Sequence, residues 1–137
     1  TSIKPSKRLK ELGVPQESLY FWCRWQRVKE FTEIKSEEYF NLSDDGYPAE
    51  VISAFTVAEL GEALPSRIDK DGQRYYLREY IRGQGDFRLY DPIYRTSFAE
   101  GEQFSIGNHL VDRENRNEAD ARAKMLIYLI EQGLVKP

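Results

Sequence analysis

Apolar residues recur at helical spacing most clearly between Asn117 and Leu134, in the stretch NEADARAKMLIYLIEQGL. Ala119, Ala123, Leu126, Ile127 and Ile130 fall on one helical face. Asn117 is a suitable N-cap, and Asp120 three positions on completes a capping-box-like pattern. Glu118 and Asp120 place negative charge in the first turn, where the helix dipole favours it. Gly133 predicts a left-handed C-cap, with Leu134 folding back onto Leu129. This helix is the expected apolar slab for the rest of the chain.

The remaining pattern predicts alternating short elements. Thr1 to Leu12 reads as an amphipathic helix ended by Gly13, with Ile3, Leu9 and Leu12 inside and Lys4, Lys7, Arg8 and Lys10 outside. Leu19 to Gln26 is dense in strand formers and apolar on nearly both faces, which predicts a central strand with Cys23 as buried filler. Arg27 to Leu42 fits a short helix or an irregular strand equally well, and Ser43 to Gly46 reads as a turn. Thr56 and Glu59 form a capping box, Phe55 staples onto Leu60, and Pro65 stops that helix. Gly61 inside it predicts a close approach to the sheet. From Ser66 to Tyr94 the pattern is an antiparallel meander, with a hairpin at Asp71-Gly72 and strands at Gln73–Arg82 and Phe87–Tyr90. Pro92 predicts the end of that last strand, or an edge position. Thr96 to Arg116 reads as one long loop with a short strand at Gln103 to Ile106.

Together these elements predict one α+β domain spanning 1–137. An antiparallel sheet of about four or five strands carries two or three helices mainly on one face, with the C-terminal helix central.

Composition changes this picture little. The chain has 137 residues, enough for a core without disulfides, and 40% hydrophobic with 31% charged residues is ordinary for a globular domain. Nine Tyr, seven Phe and two Trp supply large areas for burial. A formal charge of −3 speaks against a dedicated nucleic-acid binder, because such domains are usually basic. The charge is uneven, however. Residues 1–30 hold seven Lys/Arg against three Glu, whereas residues 31–66 hold one Lys against eight acids. A single Cys excludes an internal disulfide framework, and no apolar run approaches a bilayer span. With no leader pattern either, a cytoplasmic location and no membrane contact are expected.

The candidate chemistry is sparse. On the Gln73–Arg82 strand, Arg74, Tyr76, Arg78, Tyr80 and Arg82 share one face, opposite Tyr75, Leu77, Glu79 and Ile81. Alternating cations and aromatics on a sheet pair with phosphate and stack on bases, and Arg88 and Tyr90 would extend that face. The same alternation is also the ordinary solvent side of a small sheet, where Arg stems lie along Tyr rings. The four cations of the first helix likewise fit either phosphate contact or a wet helix face. His109 is the only histidine; Asp112 and Glu114 nearby suggest acid–base or metal chemistry, but no paired His or Cys spacing accompanies it. Neither a GxSxG elbow nor a glycine-rich phosphate loop is present, and no metal or cofactor is implied.

Three stretches carry a family resemblance: Thr1-Ser2-Ile3 with Ser6 to Gly13, Ala54 to Pro65, and Glu118 to Glu131 with Gly133-Leu134. Their order resembles a group of small uncharacterised bacterial proteins of prophages and other mobile elements, notably of gut anaerobes. The resemblance implies a shared fold and a mobile-element setting, and it implies no mechanism, cofactor or catalytic residue. The expected function is therefore a non-enzymatic accessory protein acting by contact with a partner protein. A nucleic-acid-binding module using the Arg/Tyr face is the alternative, and a small enzyme around His109 the third reading.

Overall fold

The computed structural model describes residues 1–27, 29–31, 33–36, 38–39, 48–82, 89–95, 105–106 and 117–137, with backbone alone at 33, 79–82, 89–91 and 105–106. In chain order the elements are α1 (Ile3–Glu11), β1 (Tyr20–Arg24), β2 (Glu33–Ser36), β3 (Glu50–Ser53), α2 (Val57–Ala63), β4 (Arg67–Lys70), β5 (Gln73–Arg82), β6 (Leu89–Arg95), β7 (Ser105–Ile106) and α3 (Glu118–Glu131). The class is α+β, as the sequence predicts. The strands divide into two antiparallel sheets rather than one, ordered β2-β1-β3 and β4-β5-β6-β7.

The main core lies between the helices and one face of the four-stranded sheet. Ile68, Tyr75 and Tyr94 come from that sheet, Leu9 from α1, Phe55 from the segment before α2, Leu60 and Leu64 from α2 and the residue that ends it, and Ala123, Met125, Leu126 and Leu129 from α3. Helix α3 touches α1, α2 and β6, so it occupies the centre. Because neighbours surround it, its buried arc is wide. Ala121, Met125 and Leu129 are buried alongside the predicted Ala119, Ala123 and Leu126, while Ile127 and Ile130 are only partly covered.

Local chemistry accounts for the helix ends. Thr56 and Glu59 form a reciprocal capping box at α2. Both α1 and α3 end in a left-handed glycine with paired 6→1 and 5→2 bonds: Val14 N–H to Leu9 O with Gly13 N–H to Lys10 O, and Leu134 N–H to Leu129 O with Gly133 N–H to Ile130 O. At the start of α3 the Asn117 side chain accepts from the Ala119 and Asp120 amides. Asp120 does not complete the box. Its carboxylate accepts the Ser2 N–H at 2.6 Å and so anchors α1 on α3. Gly61 faces the Arg122 guanidinium of α3, not the sheet, which corrects the sequence expectation.

The β4–β5 hairpin turns at Asp71 (φ 52°) and Gly72 (φ 76°), the double positive φ of a type I′ turn. Strand β6 does not end at Pro92 but runs through it to Arg95, so of the two sequence expectations for Pro92 the edge position is the one that fits the described residues. Leu77 N–H bonds to Ser66 O, so the backbone groups of Leu77, and by alternation Glu79, face β4. Their partners on β6, Tyr94 and Pro92, therefore direct backbone groups away from β5. The N–H that Pro92 lacks is not needed by the β5–β6 ladder, and β7 pairs only with Tyr94 and Arg95.

Strand β1 is central in its sheet, and Cys23 on it is fully buried, both as predicted. The ambiguous stretch after it contributes β2. Strand β3, which the sequence pattern did not reveal, pairs with β1 over Phe21↔Ser53 to Arg24↔Glu50. The predicted Ser43–Gly46 turn and most of the 96–116 loop lie outside the described residues. Among the described residues no helix is long and apolar enough to cross a membrane.

Candidate functional site

The Arg/Tyr face is only partly within the described residues. Arg74 and Arg78 are exposed on β5 with a partly buried Tyr76 between them. The side chains of Tyr80, Arg82 and Tyr90 lie outside the described set, as do Arg88 and His109 altogether. Cross-strand pairing adds Arg67 and Arg95 on either side of Tyr76. Two features temper the face as a phosphate platform. Asp69 lies directly across from Arg74 and pairs with it at 3.6 Å. Ile93, across from Arg78, is fully buried, so among the described residues this face is covered at Ile93 and exposed toward β4. Among the described residues no cluster of His, Cys, Asp or Glu is arranged to hold a metal.

The three-stranded sheet presents a different feature, visible once its backbone groups are traced. Ala54 N–H bonds to Tyr20 O, which directs the backbone of Tyr20, Trp22 and Arg24 toward β3 and that of Phe21 and Cys23 toward β2. Outward-facing groups then belong to Val51 and Ser53 on β3 and to Ile34 and Ser36 on β2. The β3 edge is closed by side chains from the end of α1 and the segment after it. Gln16 Oε1 accepts the Ser53 N–H at 3.0 Å, and Lys10 Nζ donates to Val51 O at 3.3 Å. Ile34 and Ser36 make no outward hydrogen bond, so among the described residues β2 is an open edge. In the other sheet the outer strand β4 turns Arg67 and Asp69 outward, a short charged edge that discourages pairing.

Apolar exposure concentrates in the sheet with the open edge. Leu19 (62% exposed), Ile34 (48%), Tyr20 (45%) and Val51 (40%) are the large exposed hydrophobics of the described chain. By register Tyr20 and Ile34 share a face, diagonal to each other across β1 and β2. Leu19 is exposed but not loose. Its N–H is held by Glu59 Oε1 at 3.0 Å, and Ser18 Oγ donates to Glu59 Oε2 at 3.1 Å. Burial disfavours charge on Glu59, but hydrogen bonds from Thr56, Leu19 and Ser18 outweigh it and hold its carboxyl below the usual range.

Beside α1 a groove of about 500 Å³ opens between that helix, β1, β3 and the segment after β1. Lys7, Lys10, Arg24 and Lys29 line it together with Glu11, Glu50, Phe31 and Ile52. Glu50 bridges two of the cations, at 3.3 Å from Lys10 Nζ and 3.2 Å from Arg24 Nη2. Burial opposes its ionisation, but those two partners pull its carboxyl below the ordinary value. Glu11 is engaged by Arg8, which also pairs with Glu131. The Lys7 ammonium sits 4.9 Å from the Phe31 ring centroid. The sequence marked the cations of α1 but not their convergence with Arg24 and Lys29, which depends on the packing of α1 against β3.

No family model, curated protein or solved structure matches this chain.

Proposed function

We propose that this chain is a non-enzymatic interaction module that takes an extended segment of a partner protein as an added strand beside β2. The observation that carries this reading is the asymmetry of the sheet edges. Among the described residues, side chains close β3, charge guards β4, and β2 presents unpaired outward groups at Ile34 and Ser36 next to exposed Ile34 and Tyr20. Main-chain hydrogen bonds supply affinity in strand addition, and alternate side chains supply specificity. Tyr20 and Ile34 select apolar side chains on one face of the incoming strand. The mobile-element setting implied by the sequence resemblance belongs to the same reading. The Arg/Tyr face supports a nucleic-acid module less well, because Asp69 offsets Arg74 and Ile93 is covered.

Ile34→Pro tests the proposal, since it removes one outward N–H and leaves the β1 ladder untouched. A partner captured by the wild-type chain should be lost with Ile34→Pro and retained with Asp69→Pro, the equivalent change on the outer edge of β4. Capture that survives Ile34→Pro overturns the proposal. So does a wild-type dimer in light scattering that Ile34→Pro dissociates, because the edge would then belong to a second copy.

A further inference from the structure

We infer that the groove beside α1 is a binding site for a ligand carrying two or more adjacent phosphate groups. Four cations and two carboxylates line it, so it holds positive charge in excess within a chain that is acidic overall. The carboxylates do not neutralise the cations evenly. Glu50 is shared by Lys10 and Arg24, and Glu11 is drawn toward Arg8. Lys7 and Lys29 have no carboxylate partner among the described residues. Like charges held together in a concave surface repel each other and raise the local concentration of anions, the electrostatic character of a phosphate site.

The supporting shell is ordered. The Glu50 bridge fixes Arg24 and Lys10, and Lys10 is further tied to Val51 O at 3.3 Å. Phe31 beneath Lys7 gives that ammonium a resting place from which a phosphate can draw it. A volume of about 500 Å³ admits an oligophosphate or a short run of nucleic-acid backbone. Both sources present the same chemistry, closely spaced phosphate oxygens accepting from Lys and Arg. This inference rests on side-chain charge at α1 and is independent of the open edge at β2.

Titration calorimetry at low salt with tripolyphosphate and with short oligothymidylate provides the test. Binding should appear with at least one probe, weaken with added salt, and fall by at least about tenfold in Lys7→Gln plus Lys29→Gln. Both lysines are exposed, and an unchanged melting curve confirms that the variant folds. Lys70→Gln plus Arg74→Gln, outside the groove, should leave binding intact. Binding of tripolyphosphate names a free oligophosphate as the source, whereas binding of oligothymidylate alone names a nucleic-acid backbone. Absence of binding to both probes overturns the inference. So does binding that survives Lys7→Gln plus Lys29→Gln, or that falls equally in the Lys70 and Arg74 control.

Discussion

Glu59 Oε1 accepts the backbone N–H of Leu19 at 3.0 Å, across 40 residues of chain. The other oxygen of the same carboxylate accepts the Thr56 N–H at 2.6 Å and the Ser18 hydroxyl at 3.1 Å. One side chain therefore caps α2 and fixes the entry to β1, which joins the helical layer to the three-stranded sheet. Replacing it by Ala leaves partly buried donors without an acceptor. Glu59→Ala should cost about 1–3 kcal/mol in denaturant unfolding. A loss no larger than that of Glu62→Ala, an exposed residue of the same helix, would show that the junction does not depend on this carboxylate.

The same carboxylate makes stability depend on pH. Its folded pKa lies below the ordinary value, because the hydrogen bonds outweigh burial. A depressed carboxyl pKa contributes stability that is fully present above the unfolded value of about 4.3 and is lost as pH falls through the folded one. The melting temperature of the wild type should therefore drop on acidification from neutrality toward pH of about 3, and that of Glu59→Gln should drop less. Glu50, depressed by Lys10 and Arg24, adds to the wild-type slope and remains in the variant. Parallel curves for the two proteins would remove Glu59 from the acid response.

Burial along α3 ranks the consequences of truncation. Leu129 is fully buried and Leu126 nearly so, whereas Ile130 is partly covered. Leu129→Ala should cost about 2–5 kcal/mol. Ile130→Ala should cost clearly less, although simple helical periodicity places Ile130 on the inner face and Leu129 off it. Equal losses at the two positions would restore the narrow stripe.

What was legible in the sequence follows the range of the interactions. The Thr56/Glu59 box, the Gly13 and Gly133 caps and the Asp71-Gly72 hairpin are set by residues a few positions apart, and each forms as read. Strand β3 is four residues, EVIS, that become a strand by pairing with β1 some 30 positions earlier in the chain. No local pattern marks such a segment. The division into two sheets and the covering of Ile93 are non-local for the same reason. The candidate surfaces share this limit. The α1 lysines were conspicuous, but the open edge at β2 emerges only once Lys10 and Gln16 are seen to occupy the edge of β3.

Gly61 sits where helix propensity and packing oppose each other. An exposed Gly→Ala change inside a helix normally stabilises by about 1 kcal/mol. Here a β-carbon meets the Arg122 guanidinium, which Glu118 holds at 2.8 Å on the neighbouring helix. Gly61→Ala should therefore gain nothing or lose stability in the wild-type background. In an Arg122→Ala background the same change should regain most of the propensity term. A double-mutant cycle measures the difference directly, and additivity of the two changes would mean that Arg122 yields freely.

The closed edge of β3 predicts what its opening would do. Gln16 Oε1 satisfies the outward N–H of Ser53, a fully buried residue, and Lys10 covers Val51 O. Gln16→Ala strands a backbone donor that burial keeps from water, and should destabilise by about 1–3 kcal/mol. Lys10→Ala acts on a more exposed carbonyl, so its effect on unfolding should be small. Together the two changes expose a second pairing edge beside Val51, and unguarded edges template association between chains. The double variant should therefore self-associate at concentrations where the wild type does not, measured by light scattering. A monomeric double variant with wild-type stability would show that these side chains touch the edge without guarding it.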